Sequence, residues 1–386
     1  MSKRIVLAVF SSVALFNVQA ADWSLSGGLN PSLEYDDNIF MRESNKVGDY
    51  HASMTPTLKL AYETDNAEAS LSTGYAMDRY HTSSYLDNDD PFFKLNTAYK
   101  TQRSTWGLGL NFSESSSRND AVDDTGDFET NSTSTTKSIS PSFSYQLTER
   151  DSLSLSTSYS EKTYSTIDFS DSKNRSVSSH WQRQFTERFN GGVSLSASNN
   201  KSTGLLELTD DDTYNISLTS SYNISEIWDI NGSVGVNQLN SRQTNLLGAT
   251  DKTRNTGSSL SINVSYRTDV DQANLSISRS ISPSSTGDVN EQDKVSMGWS
   301  RALSEALTAG IQGSYQTTSS AIDSGNDDRE NIDISPSINW QYSPDSTFSL
   351  SYNYRQQKES TLNTNVSSHA IMLTFNYNWH GINVSR

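Results

Sequence analysis

The five histidines, His51, His81, His180, His369 and His380, are the natural proton shuttles near neutral pH, and the sequence scatters them. None stands in a nucleophile, zinc or triad motif. Cysteine is absent, which removes both thiolate chemistry and a disulfide scaffold. Carboxylates are plentiful and clustered, in Asp36-Asp37, Asp87-Asn88-Asp89-Asp90, Asp120, Asp123-Asp124, Asp127, Asp210-Asp211-Asp212 and Asp327-Asp328. Hard divalent cations take such oxygens, but the spacing is not that of an EF-hand, and solvation of loops explains the clusters more simply. The sequence therefore assigns no catalytic, cofactor-binding or metal-ligating residue and reads as a non-enzyme.

The elements that carry these residues announce themselves by period. From Trp23 onward, apolar and polar residues alternate, the mark of a strand with two unlike faces. Leu260, Ile262, Val264 and Tyr266 alternate with Ser259, Ser261, Asn263 and Ser265; Phe348, Leu350, Tyr352 and Tyr354 alternate with Ser349, Ser351, Asn353 and Arg355. Trp106, Leu108, Leu110 and Phe112 repeat the pattern, as do Tyr214, Ile216 and Leu218. Breakers place strands at 23–35, 50–63, 67–80, 91–101, 104–115, 135–148, 152–164, 173–185, 188–201, 211–224, 228–241, 255–268, 271–282, 293–303, 306–318, 329–342, 345–358 and 367–380.

Composition tests this reading. A net charge of −16 with 33% hydrophobic residues would suit a disordered chain. The 18 Tyr, 13 Phe and 7 Trp argue against that. Strands of this length match the ~9–11 residues that cross a bilayer when tilted. The apolar face is too large for a soluble monomer to leave exposed. The expected fold is all-β, a transmembrane antiparallel up-and-down barrel of about eighteen strands. Ahead of it, Lys3 and Arg4, an apolar run from Ile5 to Phe16, and Val18-Gln19-Ala20 give residues 1–20 the layout of a secretory signal peptide. Residues 21–386 then form the barrel domain.

Connections come in two alternating kinds. Tight ones include Thr64-Asp65-Asn66, Gln102-Arg103, Glu149-Arg150, Thr186-Glu187 and Ser343-Pro344, and long polar ones include 116–134 and 242–254. Short periplasmic turns and long extracellular loops are the outer-membrane layout. Tryptophan favours the membrane–water interface, and Trp23, Trp106, Trp181, Trp228, Trp299, Trp340 and Trp379 all fall near expected periplasmic strand ends. Tyr75, Tyr159, Tyr315 and Tyr354 lie toward the other end. Pro31, Pro56, Pro141 and Pro336 share parity with the apolar residues, and local bulges are expected there. Arg183, Arg279 and Arg301 share it too, near strand ends, where they would snorkel to head groups. The chain ends in His380 to Arg386 rather than on a terminal aromatic, so the assembly signal of the last strand is expected in Phe375, Tyr377 and Trp379.

A closed barrel of this size encloses an aqueous lumen. Its inward parity is mostly Ser, Thr, Asn and Gln, with Lys59, Lys94, Lys100, Arg267 and Arg355 set against Glu34, Glu63, Asp229 and Asp333. These are the candidate lumen residues. Small hydroxyl and amide groups suit a hydroxyl-rich solute such as a glycan; any water-filled wall would also need them. No segment reads as a plug domain, although a long loop could fold inward.

The stretch Leu29-Asn30-Pro31-Ser32-Leu33-Glu34-Tyr35-Asp36-Asp37-Asn38-Ile39-Phe40 resembles the start of a family of outer-membrane β-barrel porins found with exopolysaccharide and exosortase (PEP-CTERM) systems. The resemblance in layout covers the chain after residue 20. It implies a conduit in the Gram-negative outer membrane for exopolysaccharide export, working with a periplasmic export protein and an inner-membrane synthesis complex. It supplies no catalytic residues. The further partners expected of such a barrel are outer-membrane lipid and lipopolysaccharide and the barrel-assembly machinery, with no cofactor and no nucleic acid. A general diffusion porin and a surface-exposed structural or adhesive barrel remain the alternatives.

Overall fold

The computed structural model describes residues 21–118, 128–284, 289–321, 329–360 and 363–385. Residues 1–20, where a signal peptide is expected, and Asp120, Asp123, Asp124, Asp127, Asp327 and Asp328 lie outside the described residues.

Eighteen strands close into one antiparallel barrel. They are β1 (Asp22–Asp36), β2 (Asp49–Glu63), β3 (Ala67–Tyr80), β4 (Asn88–Lys100), β5 (Ser104–Ser116), β6 (Thr133–Gln146), β7 (Asp151–Tyr164), β8 (Asp171–Gln184) and β9 (Phe189–Thr203). The second half comprises β10 (Glu207–Asn223), β11 (Trp228–Asn245), β12 (Thr250–Arg267), β13 (Asp271–Pro283), β14 (Val289–Ala302), β15 (Leu307–Ser320), β16 (Arg329–Ser343), β17 (Ser346–Glu359) and β18 (Thr364–Ser385). Each strand pairs with the next, and β18 returns to β1. Closure leaves no edge strand.

All eight periplasmic turns use one device. A Ser or Thr hydroxyl at the turn's start, in Thr64, Thr101, Thr148, Thr186, Ser225, Thr268, Ser304 and Ser343, accepts a backbone N–H two or three residues on. The turn's orphan donors are thereby satisfied locally.

Four expectations are corrected. The prolines do not make bulges. Each interrupts one ladder for two residues, as between Met54↔Met77 and Thr57↔Gly74 beside Pro56, and the register resumes unshifted. The same gap flanks Pro31, Pro141 and Pro336. A proline lacks its N–H toward one neighbour only, so the other ladder survives. The segment 242–254 is not a loop: the β11–β12 ladder runs on to Thr244↔Thr250 around a short turn.

The last strand does not stop at His380 either; β18 runs to Ser385. β18 passes through Gly381, at φ +74, and then pairs Ile382 with Leu25 and Val384 with Trp23. The extra residue restores both side chains to the outward parity. A Cβ on Gly381 would lie 1.4 Å from the Leu25 carbonyl oxygen, so only glycine fits this seam. Finally, the outward arginines sit opposite cross-strand carboxylates, Arg183 to Asp151 at 3.4 Å, Arg301 to Asp271 at 3.7 Å, and Arg279 to Asp293 at 2.6 Å through Nε. Directly opposed charges on one face attract, which explains their placement better than snorkelling alone.

Candidate functional site in the barrel lumen

The alternation assigns each strand an inner and an outer row. The loops confirm which is which, because they touch the polar row. Tyr80 on β3 receives a bond from Arg118, and Arg355 on β17 lies over the Phe128 ring at 5.4 Å. On the outer row the seven tryptophans stand at the turn end, several packed on a cross-strand ring: Trp23 on Tyr62 at 4.8 Å, Trp106 on Phe143 at 4.3 Å and Trp228 on Tyr266 at 4.7 Å. Trp340 meets Phe348 at 5.8 Å, and Trp299 donates to Asp271. Trp181 and Trp379 face Val193 and Gly27 across their ladders.

The inner wall differs from one arc to the other. From β5 to β13 it is built mainly of Ser, Thr, Asn, Gln and Gly, with Tyr164, His180 and Leu239 among them, and its charged members Lys162, Glu207, Asp211, Asp229, Asp251 and Arg267 all lie within four residues of a strand end. The hydroxyls bridge strands directly, Ser156 to Ser178 and Ser158 to Ser176 at 2.6 Å each. Asn215 on β10 reaches past β11 to Ser259 on β12 at 2.8 Å. Gly235 permits that reach, since a Cβ there would meet Ser217 Cβ and Ser259 Oγ at 2.7 Å. Nearer the turns, His180, Gln182, Asn190, Thr219, Asn231 and Ser261 line a recess of about 350 Å³.

The opposite arc, β16–β18 with β1–β4, carries ionised groups and inward-folded loops. The β1–β2 loop (37–48) is pinned by Asn38, whose side chain is fully buried. Its Nδ2 donates to the carbonyls of Arg42 (2.9 Å) and Ser367 (3.0 Å), and its Oδ1 accepts from Arg42 N–H (3.0 Å). Ile39 and Phe40 bury against Leu86 of the β3–β4 loop, and Met41 buries against Phe128 and Val366. Arg118 ties the β5–β6 loop to the same cluster, donating to the Phe128 carbonyl at 2.9 Å, to Tyr80 Oη at 3.1 Å and to the Ile39 carbonyl. Arg42 meets Glu129 at 2.7 Å.

The acids of this rim are fasteners. Asp36 caps Asn38 N–H, Asp37 accepts His369 N–H, and Asp87 accepts Tyr80 N–H. Asp49, at the outermost β1–β2 rung beyond Tyr50, accepts from the Thr82 and Ser83 backbone. Burial would raise its carboxyl, but those donors outweigh burial and bring it to about 2.

Between these loops and the wall lies a cavity of about 290 Å³, lined by Glu34, Asp36, His51, Tyr80, Arg118 and Arg355 among others. His51 bonds Asp78 at 2.8 Å and stacks on Tyr80 at 4.4 Å.

The candidate lumen residues thus separate into groups. Glu34, Arg355 and Asp333 meet at the outer mouth, with Arg355 Nε 3.2 Å from Asp333. Lys100 pairs with Glu68 near the turns, where Glu63 also stands. Asp229 and Arg267 occupy the turn ends of β11 and β12. Lys59 and Lys94 both oppose Ser72, from β2 and β4. Sequence reasoning missed Asn38, His51, Tyr80, Arg118, Phe128 and Lys294. Parity alone would have exposed Lys294; Arg118 and Phe128 lie in a loop, which has no period to read.

No family model matches the sequence, and no curated protein matches it. Solved structures do. The ferric citrate transporter FecA aligns at TM-score 0.54 with 13% identity over 86% of this chain, which spans 60% of that protein's length. OccAB4 of Acinetobacter baumannii aligns at 0.51 with 10% identity, covering 95% of this chain and 99% of that one. OpdK of Pseudomonas aeruginosa, solved with vanillate, aligns at 0.50 with 8% identity over 92% and 99%. At such identities the likeness is one of fold, that of the outer-membrane β-barrel.

Proposed function

We propose that the barrel is a passive conduit for hydroxyl-rich solutes, with an exopolysaccharide leaving the cell as its cargo. One observation carries this reading: the inner wall from β5 to β13, whose middle stretch is uncharged and made mainly of small hydroxyl and amide side chains. Such a wall offers many weak donors and acceptors and no strong trap, so a sugar chain can exchange partners as it slides. The loops folded onto the other arc narrow the mouth from one side, which suits a slender polymer. A periplasmic export protein at the turn rim would feed the chain in.

The small side chains also leave room for unselective diffusion, and that favours the second reading, a general porin. Deleting the gene separates the two. Loss of secreted polysaccharide with unchanged small-solute uptake supports the conduit; unchanged secretion with lost uptake rejects it in favour of the porin.

A further inference from the structure

The charges of the lumen are arranged by depth. Toward the outer rim stand Glu34, Asp36, Asp49, Asp78 and Asp90, and toward the turns stand Asp22, Glu63, Glu68 and Asp229. Five or more residues from both ends of a strand, charged inward positions number two among the described residues: Lys94 on β4 and Lys294 on β14. Both are cations. In the ring of eighteen, β4 and β14 lie nearly opposite one another.

Neither lysine is neutralised. Lys94 faces Ser72 and Asn111 across its two ladders, and Lys294 faces Ser278 and Gln316. No carboxylate is within pairing distance of either among the described residues, whereas Lys100 and Arg355 each hold one. Both side chains are exposed to the lumen. Lys59, four residues from the turn end of β2, is similarly unpaired and stands beside Lys94 through their common neighbour Ser72.

We infer that this waist is a binding step for anionic substituents, carboxylate above all, carried on an otherwise hydroxylated solute. Two ammonium groups on facing walls, separated by uncharged hydroxyls and amides, select by sign at mid-depth in the passage. Acids stand at both rims, and at mid-depth the inward charges of the described residues are cations alone. The neutral wall would accept the sugar hydroxyls while a lysine holds the acid group. This rests on the saccharide reading and narrows it to acidic saccharides.

The test uses the full barrel in planar bilayers, with hexagalacturonate and maltohexaose as probes of equal length and opposite charge class. In the wild type, hexagalacturonate should interrupt the ion current at a concentration roughly fivefold to tenfold lower than maltohexaose, the scale of one or two ion pairs in water. In a K94Q/K294Q double variant that advantage should vanish while the maltohexaose response stays put. The reversal potential in a KCl gradient should move toward cation preference in the same variant. Equal sensitivity to both sugars in the wild type, or an advantage that survives the double substitution, overturns the inference. If neither sugar interrupts the wild-type current, the saccharide reading fails, and the reversal potential alone decides: a shift upholds the anion step and no shift removes it.

Discussion

The two arcs of the lumen are built on opposite principles. Along β16–β18 and β1–β4, each contact is particular: Asn38 has three side-chain bonds in one buried place, and Ile39, Phe40 and Leu86 fill one another's gaps. Along β5–β13 the contacts repeat, serine against serine and amide against hydroxyl. A particular contact fixes a shape, whereas a repeated one presents a surface. The first arc sets how wide the mouth is, and the second sets what the passage feels like to a solute.

Removing the pin of the particular arc should have the largest effect. Asn38→Ala leaves the Arg42 carbonyl and the Arg42 N–H without their partner and the Ser367 carbonyl with Lys46 Nζ alone at 3.2 Å, at about 1–3 kcal/mol for each group left unmet. The β1–β2 loop should then leave the wall. Single-channel recording should show higher conductance and slow fluctuations absent from the wild type. A variant with wild-type current would mean that the loops do not narrow the mouth.

On the repeating arc, the sharpest lesion is steric. Gly235→Leu forces side-chain atoms onto Ser217, Ser259 and the Ile216 carbonyl, which a Cβ alone would approach at 2.5 Å. Overpacking of this kind costs about 1–3 kcal/mol. Conductance should fall, by less than Asn38→Ala raises it. An increase would show that this wall does not bound the passage.

Acid separates the arcs more gently. Asp49 holds the β3–β4 loop with a carboxyl at about 2, below its ordinary 3.8. A depressed carboxyl contributes stability that is present above the ordinary value and lost as pH falls through the folded one. Loop-related current noise should stay flat from pH 7 to about 4 and rise only toward pH 2. Asp49→Ala should show that noise at every pH. Noise that instead grows between pH 7 and 5 would assign the fastening to another group.

These differences explain what the sequence could and could not convey. Period two, turn residues and tryptophan positions are local, so all eighteen strands were legible; their outer ends fell short, by up to five residues in β12, and β18 also fell short by five at its turn end. Beyond the bilayer, strands such as β11 and β12 continue with polar residues on both faces, and alternation fades there. The repeating arc was legible for the same reason, as rows of serine. The mouth was not. Asn38, Arg118 and Phe128 are brought together from separate loops, and no spacing along the chain records that meeting. Gly381 was hidden because one inserted residue reverses the parity of everything after it.

The smallest effect expected is the most informative about the repeating arc. Ser156→Ala with Ser158→Ala removes two hydroxyls that bond Ser178 and Ser176 at 2.6 Å. In a hydrated lumen the orphaned serines turn to water, so stability should change by under about 1 kcal/mol. Ion conductance should not move, because alanine is no wider than serine. A wall that works by repetition should tolerate this loss in sugar binding as well, with a change of less than about twofold in the maltohexaose concentration that interrupts the current, a few tenths of a kcal/mol. A tenfold loss from these two hydroxyls would mean that β7 and β8 form a discrete site, and the contrast between a particular and a repeating arc would no longer hold.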